Sequence, residues 1–408
     1  MARRVVITGA GIVSPLGDSP AAVHEALCAG RVRMGPVTLF PTDGLGSRPA
    51  AEIPSFAPQA YLGDRNLRPL DRTAQLAASA AALALADAGW TGAAREGREL
   101  GLVLGTQFGS VRTIAEFDRR ALTAGPEYAS PMDFANTVIN AAAGQTAIVH
   151  GLRGVNSTIA AGAASGLQAV AYGADLVRAG RATALLAGGA EELSFEALYG
   201  FARAGRLAPG GDGPPVPFAP GRRGFALGEG AALVVLEDAD EAAARGAHVL
   251  GEVLGHGWAY GGRAGEAVAR DARAHARAVG RALEAARLAP QSIDLVGAGA
   301  NGSVAGDLAE ASGLRCALGE RARAVPVTAP KAGLGEALGA AGAMQVVVLL
   351  ESIRSRFVPG IPGLDRVDPE VGLAGARSAG HDLAIGRALV SAASGDGYCG
   401  ALVLGAPS

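Results

Sequence analysis

The stretch ALGAAGAMQVVVLLESI at residues 337–353 reads as a helix with almost no polar face. ASGLQAVAYGADLVRAG at 164–180 and DRTAQLAASAAALALADAGW at 71–90 are nearly as apolar. A helix that is apolar most of the way round has to be covered on most sides. The chain therefore needs a multilayer core or a large subunit interface. Its building material is restricted: aromatics are 4% of the residues, while 61 are glycine. The core must be made of Ala, Val, Leu and Gly, with close backbone approaches.

Between these helices lie short apolar runs of strand character. RRVVITG, LGLVLGT, ATALLAGGAEE, IDLVGAGA and CGALVLG alternate with helical segments, which argues an α/β fold. GAALVVLED and HVLGEVLGHGWAY read as neighbouring antiparallel strands. Ser19 and Asp71 are expected N-caps, and Gly30 a helix stop. Two similar successions meet near residue 245, so two halves, 1–245 and 246–408, are expected.

Composition excludes several classes. Net charge is −2 with no basic run, which speaks against nucleic acid and against an anionic membrane. The longest apolar runs contain glycine or charge before they reach spanning length. No export signal is read at the N-terminus, and Cys28, Cys316 and Cys399 lack metal-like spacing, so a reduced, cytoplasmic setting is expected. The six histidines form no metal pattern. Neither a metal nor a cofactor is expected.

Two motifs invite enzymatic readings. TGAGIVSPLG at 8–17 places a G-x-G after a strand, but the third glycine of a dinucleotide fingerprint would fall on Ser14, followed by Pro15. NSTIAAGAASG at 156–166 has the small residues of a nucleophile elbow running into a helix. Its hydroxyls are Ser157, Thr158 and Ser165, and G-x-S-x-G is absent. The expected reading of Ser165 is a capping or packing residue.

RRVVITGAGIVSPLG, NTVINAAAGQTAIVHGLRG, GRRGFALGEGAALVVLED and KAGLGEALGAAG together resemble the β-ketoacyl synthases, condensing enzymes of the thiolase fold. The resemblance runs from Arg3 to Leu404 and implies a thiolase-like, duplicated αβαβα layered architecture. In that family a cysteine at the elbow attacks an acyl thioester, and two histidines stabilise the enolate formed by decarboxylation. Laid on this chain, the cysteine position is Ala163 and the histidine positions are Gly299 and Glu336. Lys331, the one lysine of the sequence, is retained, while its usual acidic partner position is Gln345. The two phenylalanines of the gating loop are replaced by Ala393 and Gly395. The resemblance thus implies a chain with no catalytic group of its own, in which Lys331 and Glu336 pair.

Within the family this pattern resembles the chain-length factor, the ketosynthase β subunit of type II polyketide synthases. It implies a heterodimer with an active ketosynthase α subunit and an acyl carrier protein presenting the growing chain. Tunnel and interface positions would be Val111, Ile114, Asp118 and Val138. Their lack of aromatic bulk suggests a reduced or polyene-type chain. Two other readings stay open: a homodimeric enzyme of altered chemistry using Glu336 as a base, and an acyl-carrier-protein-binding scaffold.

Overall fold

A computed structural model describes residues 3–211, 213–262 and 268–407. Ten strands form one sheet, numbered here in chain order: β1 (Val5–Val13), β2 (Gly101–Gly105), β3 (Asn156–Ile159), β4 (Ala184–Glu191), β5 (Gly230–Asp238), β6 (Gly251–Tyr260), β7 (Leu295–Gly297), β8 (Val327–Thr328), β9 (Arg387–Ala393) and β10 (Tyr398–Gly405). Helices of nine or more residues are α1 (Pro20–Cys28), α2 (Arg72–Asp87), α3 (Val111–Thr123), α4 (Ala141–His150), α5 (Ser165–Arg178), α6 (Phe195–Arg203), α7 (Val268–Ala286), α8 (Val304–Leu318) and α9 (Ala341–Ser355).

The spatial order is β8-β7-β9-β10-β6-β1-β5-β4-β2-β3. Reading inward from each edge gives the same sequence of events. The third strand of a half pairs parallel with the second, the second parallel with the fourth, and the fourth and fifth are antiparallel, ending on the first. The halves meet where β1 pairs with β6. This is the duplicated, thiolase-like layered fold. Helices α5 and α9 pack on each other between the two half-sheets, α2 and α4 cover one outer face, and α7 and α8 cover the other. Burial explains the missing polar face: every residue of α9 from Ala341 to Ile353 is buried. The stretch Leu338–Ser355 is long and apolar enough to cross a membrane, but 89% of it is buried inside the protein.

One expectation is corrected. GAALVVLED and HVLGEVLGHGWAY are not neighbours, because β1 lies between β5 and β6 and pairs antiparallel with both. Pairing across the junction of two halves is non-local, and strand character alone does not report it.

The duplication has a residue-level counterpart. A Cβ on Gly9 or Gly11 of β1 would sit 2.5 or 2.2 Å from the carbonyl oxygens of Ala84 and Ala80 on α2. A Cβ on Gly255 or Gly257 of β6 would sit 2.7 or 2.3 Å from those of Ala282 and Ala278 on α7. Each half thus uses a G-x-G in its first strand to admit the backbone of an alanine-rich helix. In TGAG these glycines serve helix–sheet packing. The expected caps are in place: Ala22 N donates to Ser19 Oγ at 3.2 Å and Ala74 N to Asp71 Oδ1 at 2.8 Å.

Candidate functional site

The elbow between β3 and α5 turns on Gly162, whose φ of +59° is a left-handed conformation that suits glycine. It presents Ala163, 7% exposed, at the helix entrance. Ser165 is fully buried. Its hydroxyl accepts from Ala161 N at 2.8 Å and lies within bonding distance of the carbonyls of Gly162 (2.6 Å) and Thr106 (3.0 Å). It closes the turn rather than pointing into a cavity.

In front of the elbow is a cavity of about 720 Å³. Ala163, Gly299, Glu336, Ala393 and Gly395 all line it, so positions spread over the whole sequence converge here. The loop carrying Ala393 and Gly395 lies over the elbow: a Cβ on Gly162 would fall 1.8 Å from Ser394 Oγ. Gly395 itself faces open space, with Arg206 Nη1 at 3.9 Å from a Cβ placed there.

Polar groups of the cavity are bonded to one another. Lys331 Nζ lies 2.7 Å from Glu336 Oε2, and both side chains are 3% exposed. Asn301 Nδ2 donates to the same oxygen at 2.7 Å, and Leu338 N to Glu336 Oε1 at 3.1 Å. Three donors therefore hold this carboxylate. Gln345 does not take the place of an acid for Lys331; its amide reaches the carbonyls of Ser391 (3.1 Å) and Gly297 (3.4 Å).

Gly299 N donates to Glu310 Oε1 at 2.8 Å, and a Cβ on Gly299 would lie 2.8 Å from Ser391 O. No larger side chain fits there without movement. Burial pushes the Glu310 carboxyl up to about 7, against the opposing bonds from Gly299 and Ser391. Asp307 receives bonds from Phe218 N, Asn301 N and Gly302 N and faces Arg222, yet burial still raises it to about 6. His275 is fully desolvated, which lowers it to about 4, and its Nδ1 has no hydrogen-bond partner among the described residues. Glu310, Asp307, Asn301 and His275 were not singled out from sequence. The available signal was the pair of acids, Asp307 and Glu310, in the otherwise apolar start of α8. No cluster of three metal-binding side chains occurs among the described residues.

Val111 and Ile114 on α3 are half-buried, Asp118 is exposed, and Val138 is 51% exposed. None of these four lines the cavity. They lie in a stretch unusually rich in exposed large apolar side chains: Leu122 (86%), Tyr128, Met132, Phe134 (64%), Val138 and Ile139. No residue of α3 is fully buried. The edge strand β3 pairs on one side, with β2.

Residues 2–242 match the model of the β-ketoacyl synthase N-terminal domain, and residues 250–365 that of the β-ketoacyl synthase C-terminal domain. The chain is 32% identical over 376 residues to a 3-oxoacyl-[acyl-carrier-protein] synthase 2 of Vibrio cholerae, covering 91% of this chain and 90% of that protein. It is 33% identical to a putative polyketide beta-ketoacyl synthase 1 of Streptomyces halstedii, covering 100% of this chain and 99% of the other. Among solved structures, the ishigamide ketosynthase/chain length factor superposes with a TM-score of 0.93 at 28% identity, each chain covered in full.

Proposed function

Because the chain belongs to the β-ketoacyl synthase family, we propose that it is the non-catalytic β subunit, or chain-length factor, of a heterodimeric type II polyketide ketosynthase. The observation that carries this reading is the elbow. Acyl transfer on this fold needs a nucleophile at the helix entrance, and Ala163 has no ionisable atom. Ser165 cannot substitute, since its hydroxyl is buried in the turn. Enolate stabilisation needs hydrogen-bond donors or positive charge where the oxyanion develops. Gly299 offers no side chain, and Glu336 offers an anion already held by three donors.

The same bonds count against Glu336 as a base in a homodimeric enzyme. A base must be free to take a proton, and the three bonds from Lys331, Asn301 and Leu338 N, with a cation 2.7 Å from Oε2, favour the anion and weaken Glu336 as a proton acceptor. The apolar stretch 122–139 and the open edge of β3 support a partner subunit on that face. In this reading the partner is an active α subunit. The similarity to the ishigamide ketosynthase/chain length factor supports that choice. A carrier protein would present the growing chain. A second solved structure of the same fold holds a type II PKS acyl-carrier protein in complex with its own ketosynthase. The chain's role would be to shape the acyl tunnel at the interface, in the cytoplasm, for a reduced or polyene-type product.

The test is coexpression with an active ketosynthase, followed by size-exclusion chromatography and intact-mass analysis. A 1:1 heterodimer that takes up acyl groups on the partner alone is expected. An acyl adduct on this chain, or elongation by this chain alone, would refute the assignment.

A further inference from the structure

Helix α3 has little side-chain hold on the body of the protein. None of its residues is fully buried, and Ser110, the residue before it, makes no side-chain cap bond. Where α3 lies is therefore set largely at its entrance, residues 106–110. Glu191, the last residue of β4 and 1% exposed, fastens that entrance. Its Oε2 accepts from Gln107 N at 2.6 Å and from the Thr106 hydroxyl at 3.2 Å, and its Oε1 from Phe108 N at 2.8 Å. Thr106 Oγ1 in turn accepts from Gly109 N at 3.0 Å.

The same carboxyl reaches the wall of the elbow cavity. Gly339 N donates to Glu191 Oε2 at 3.1 Å, and the amide before it, Leu338 N, donates to Glu336 Oε1 at 3.1 Å. Consecutive amides of one turn thus join Glu191 to the buried Lys331–Glu336 pair. The joint is tight: a Cβ on Gly339 would lie 2.5 Å from Glu191 Oε2 and 2.5 Å from Thr106 Cα. Leu338, between the two amides, lines the cavity at a φ of +47°, a left-handed conformation that residues with a side chain rarely adopt. Such strain persists where the surroundings fix it. Here two carboxyl groups hold the amides on either side of it.

We propose that Glu191 is a positioning residue for chain length: through Gly339 and Leu338 it ties the entrance of α3 to the Lys331–Glu336 pair, and so fixes where α3 stands against the partner's acyl tunnel. The proposal rests on the chain-length reading. It gives the buried pair a task that needs no chemistry at the elbow. Glu191 touches neither substrate nor tunnel in this account; it acts through the amides of Gln107 and Phe108.

Three variants test it. Glu191→Gln replaces one accepting oxygen by a donor, Thr106→Val removes the hydroxyl that links Glu191 to Gly109, and Thr106→Ser keeps that hydroxyl. Hydrogen exchange on the full-length chain, read by mass spectrometry, should show protection over residues 107–114 falling by about tenfold in the first two, while α7 holds. Each variant is then coexpressed with an active α subunit, and the heterodimer is purified before its products are weighed, so that a folding defect cannot pass for a shift in length. With Glu191→Gln and Thr106→Val, the product of wild-type length should be joined by chains one two-carbon unit shorter and longer. Thr106→Ser should match wild type in both measurements. An unchanged length spectrum in the first two variants, unchanged exchange at the α3 entrance, or a Thr106→Ser that behaves as Thr106→Val does, overturns the proposal. Should Glu191→Gln fail to fold, the two Thr106 variants decide it. Failure of the wild-type chain to pair strikes the chain-length reading instead, and the exchange data then decide the coupling on this chain alone.

Discussion

Lys331 and Glu336 form an ion pair of 2.7 Å in which both side chains are 3% exposed. Breaking a buried pair from one side leaves an uncompensated charge, a loss of about 3–5 kcal/mol. The two sides are not equivalent. Glu336 keeps Asn301 Nδ2 and Leu338 N when Lys331 is removed, whereas Lys331 has Glu336 as its one carboxylate at ion-pair distance among the described residues. Glu336→Ala should therefore destabilise by about 3–5 kcal/mol and Lys331→Met by clearly less. Urea denaturation of both variants checks the order. Equal losses, or a loss below about 1 kcal/mol for Glu336→Ala, would mean that the pair is held by its surroundings.

A cysteine introduced at position 163 should not by itself confer condensing chemistry. Ala163→Cys places a thiol at the N-terminal end of α5, where the helix field favours the thiolate. It should be alkylated by iodoacetamide faster than Cys28 and Cys399, whose thiols burial pushes up to about 11 and about 12. Malonyl decarboxylation should stay at background even with Glu336→His added. Gly299→His should fail to pack, because its Cβ would meet Ser391 O at 2.8 Å. Condensation by a triple variant carrying all three changes would show that the cavity can reopen.

Two buried histidines make acid pH destabilising. Burial lowers His150 and His275 to about 4 each. Unfolded histidine binds its proton near pH 6.5, so the unfolded state holds more protons between about 6.5 and about 4. The stability that each histidine contributes is present above that window and is lost as pH falls through it. His275→Asn should flatten this acid-side slope relative to wild type, by on the order of 3 kcal/mol between the two ends. Matching slopes for the two proteins would show that His275 finds a partner for its proton.

Much of this was legible in the sequence, for identifiable reasons. The polar-poor helix 337–353 called for cover on most sides, from a multilayer core or a large interface, and α9 lies in a central layer. Ala163, Gly299 and Glu336, picked out by motif spacing, line one cavity although they are far apart in sequence. What stayed hidden was non-local. The insertion of β1 between β5 and β6 depends on how two halves dock. The bond of Asn301 to Glu336 joins residues that share no local pattern.

The exposed apolar residues from the last turn of α3 to Ile139 should make the isolated chain associate. Leu122 and Phe134 are 86% and 64% exposed and belong to one continuous segment. Such patches drive self-association or partner binding when uncovered. Leu122→Glu with Phe134→Asp should shift the chain toward monomer on size-exclusion chromatography, with an unchanged circular dichroism spectrum. The same changes should weaken pairing with an active ketosynthase. A double variant that elutes as wild type does, and pairs normally, would place the contact face elsewhere.

Chain length is the property through which the proposed role can be read directly. Ile114 is half-buried on α3, and Val138 is 51% exposed and is one of the exposed apolar residues between 122 and 139. Neither lines the cavity in front of the elbow, so bulk added there leaves that cavity alone. If this face closes the partner's acyl tunnel, a ring at either position shortens the space in which the chain grows. Ile114→Phe has neighbours to displace and should carry a strain of about 1–3 kcal/mol. Val138→Trp projects from a half-exposed position and should be tolerated better. Coexpressed with an active α subunit, both variants should still perform the first condensation. The products should be shorter by whole two-carbon units, as read by mass spectrometry. Unchanged product masses in both variants, with the heterodimer intact, would mean that the tunnel floor is built by other residues, and the role assigned to α3 would have to be withdrawn.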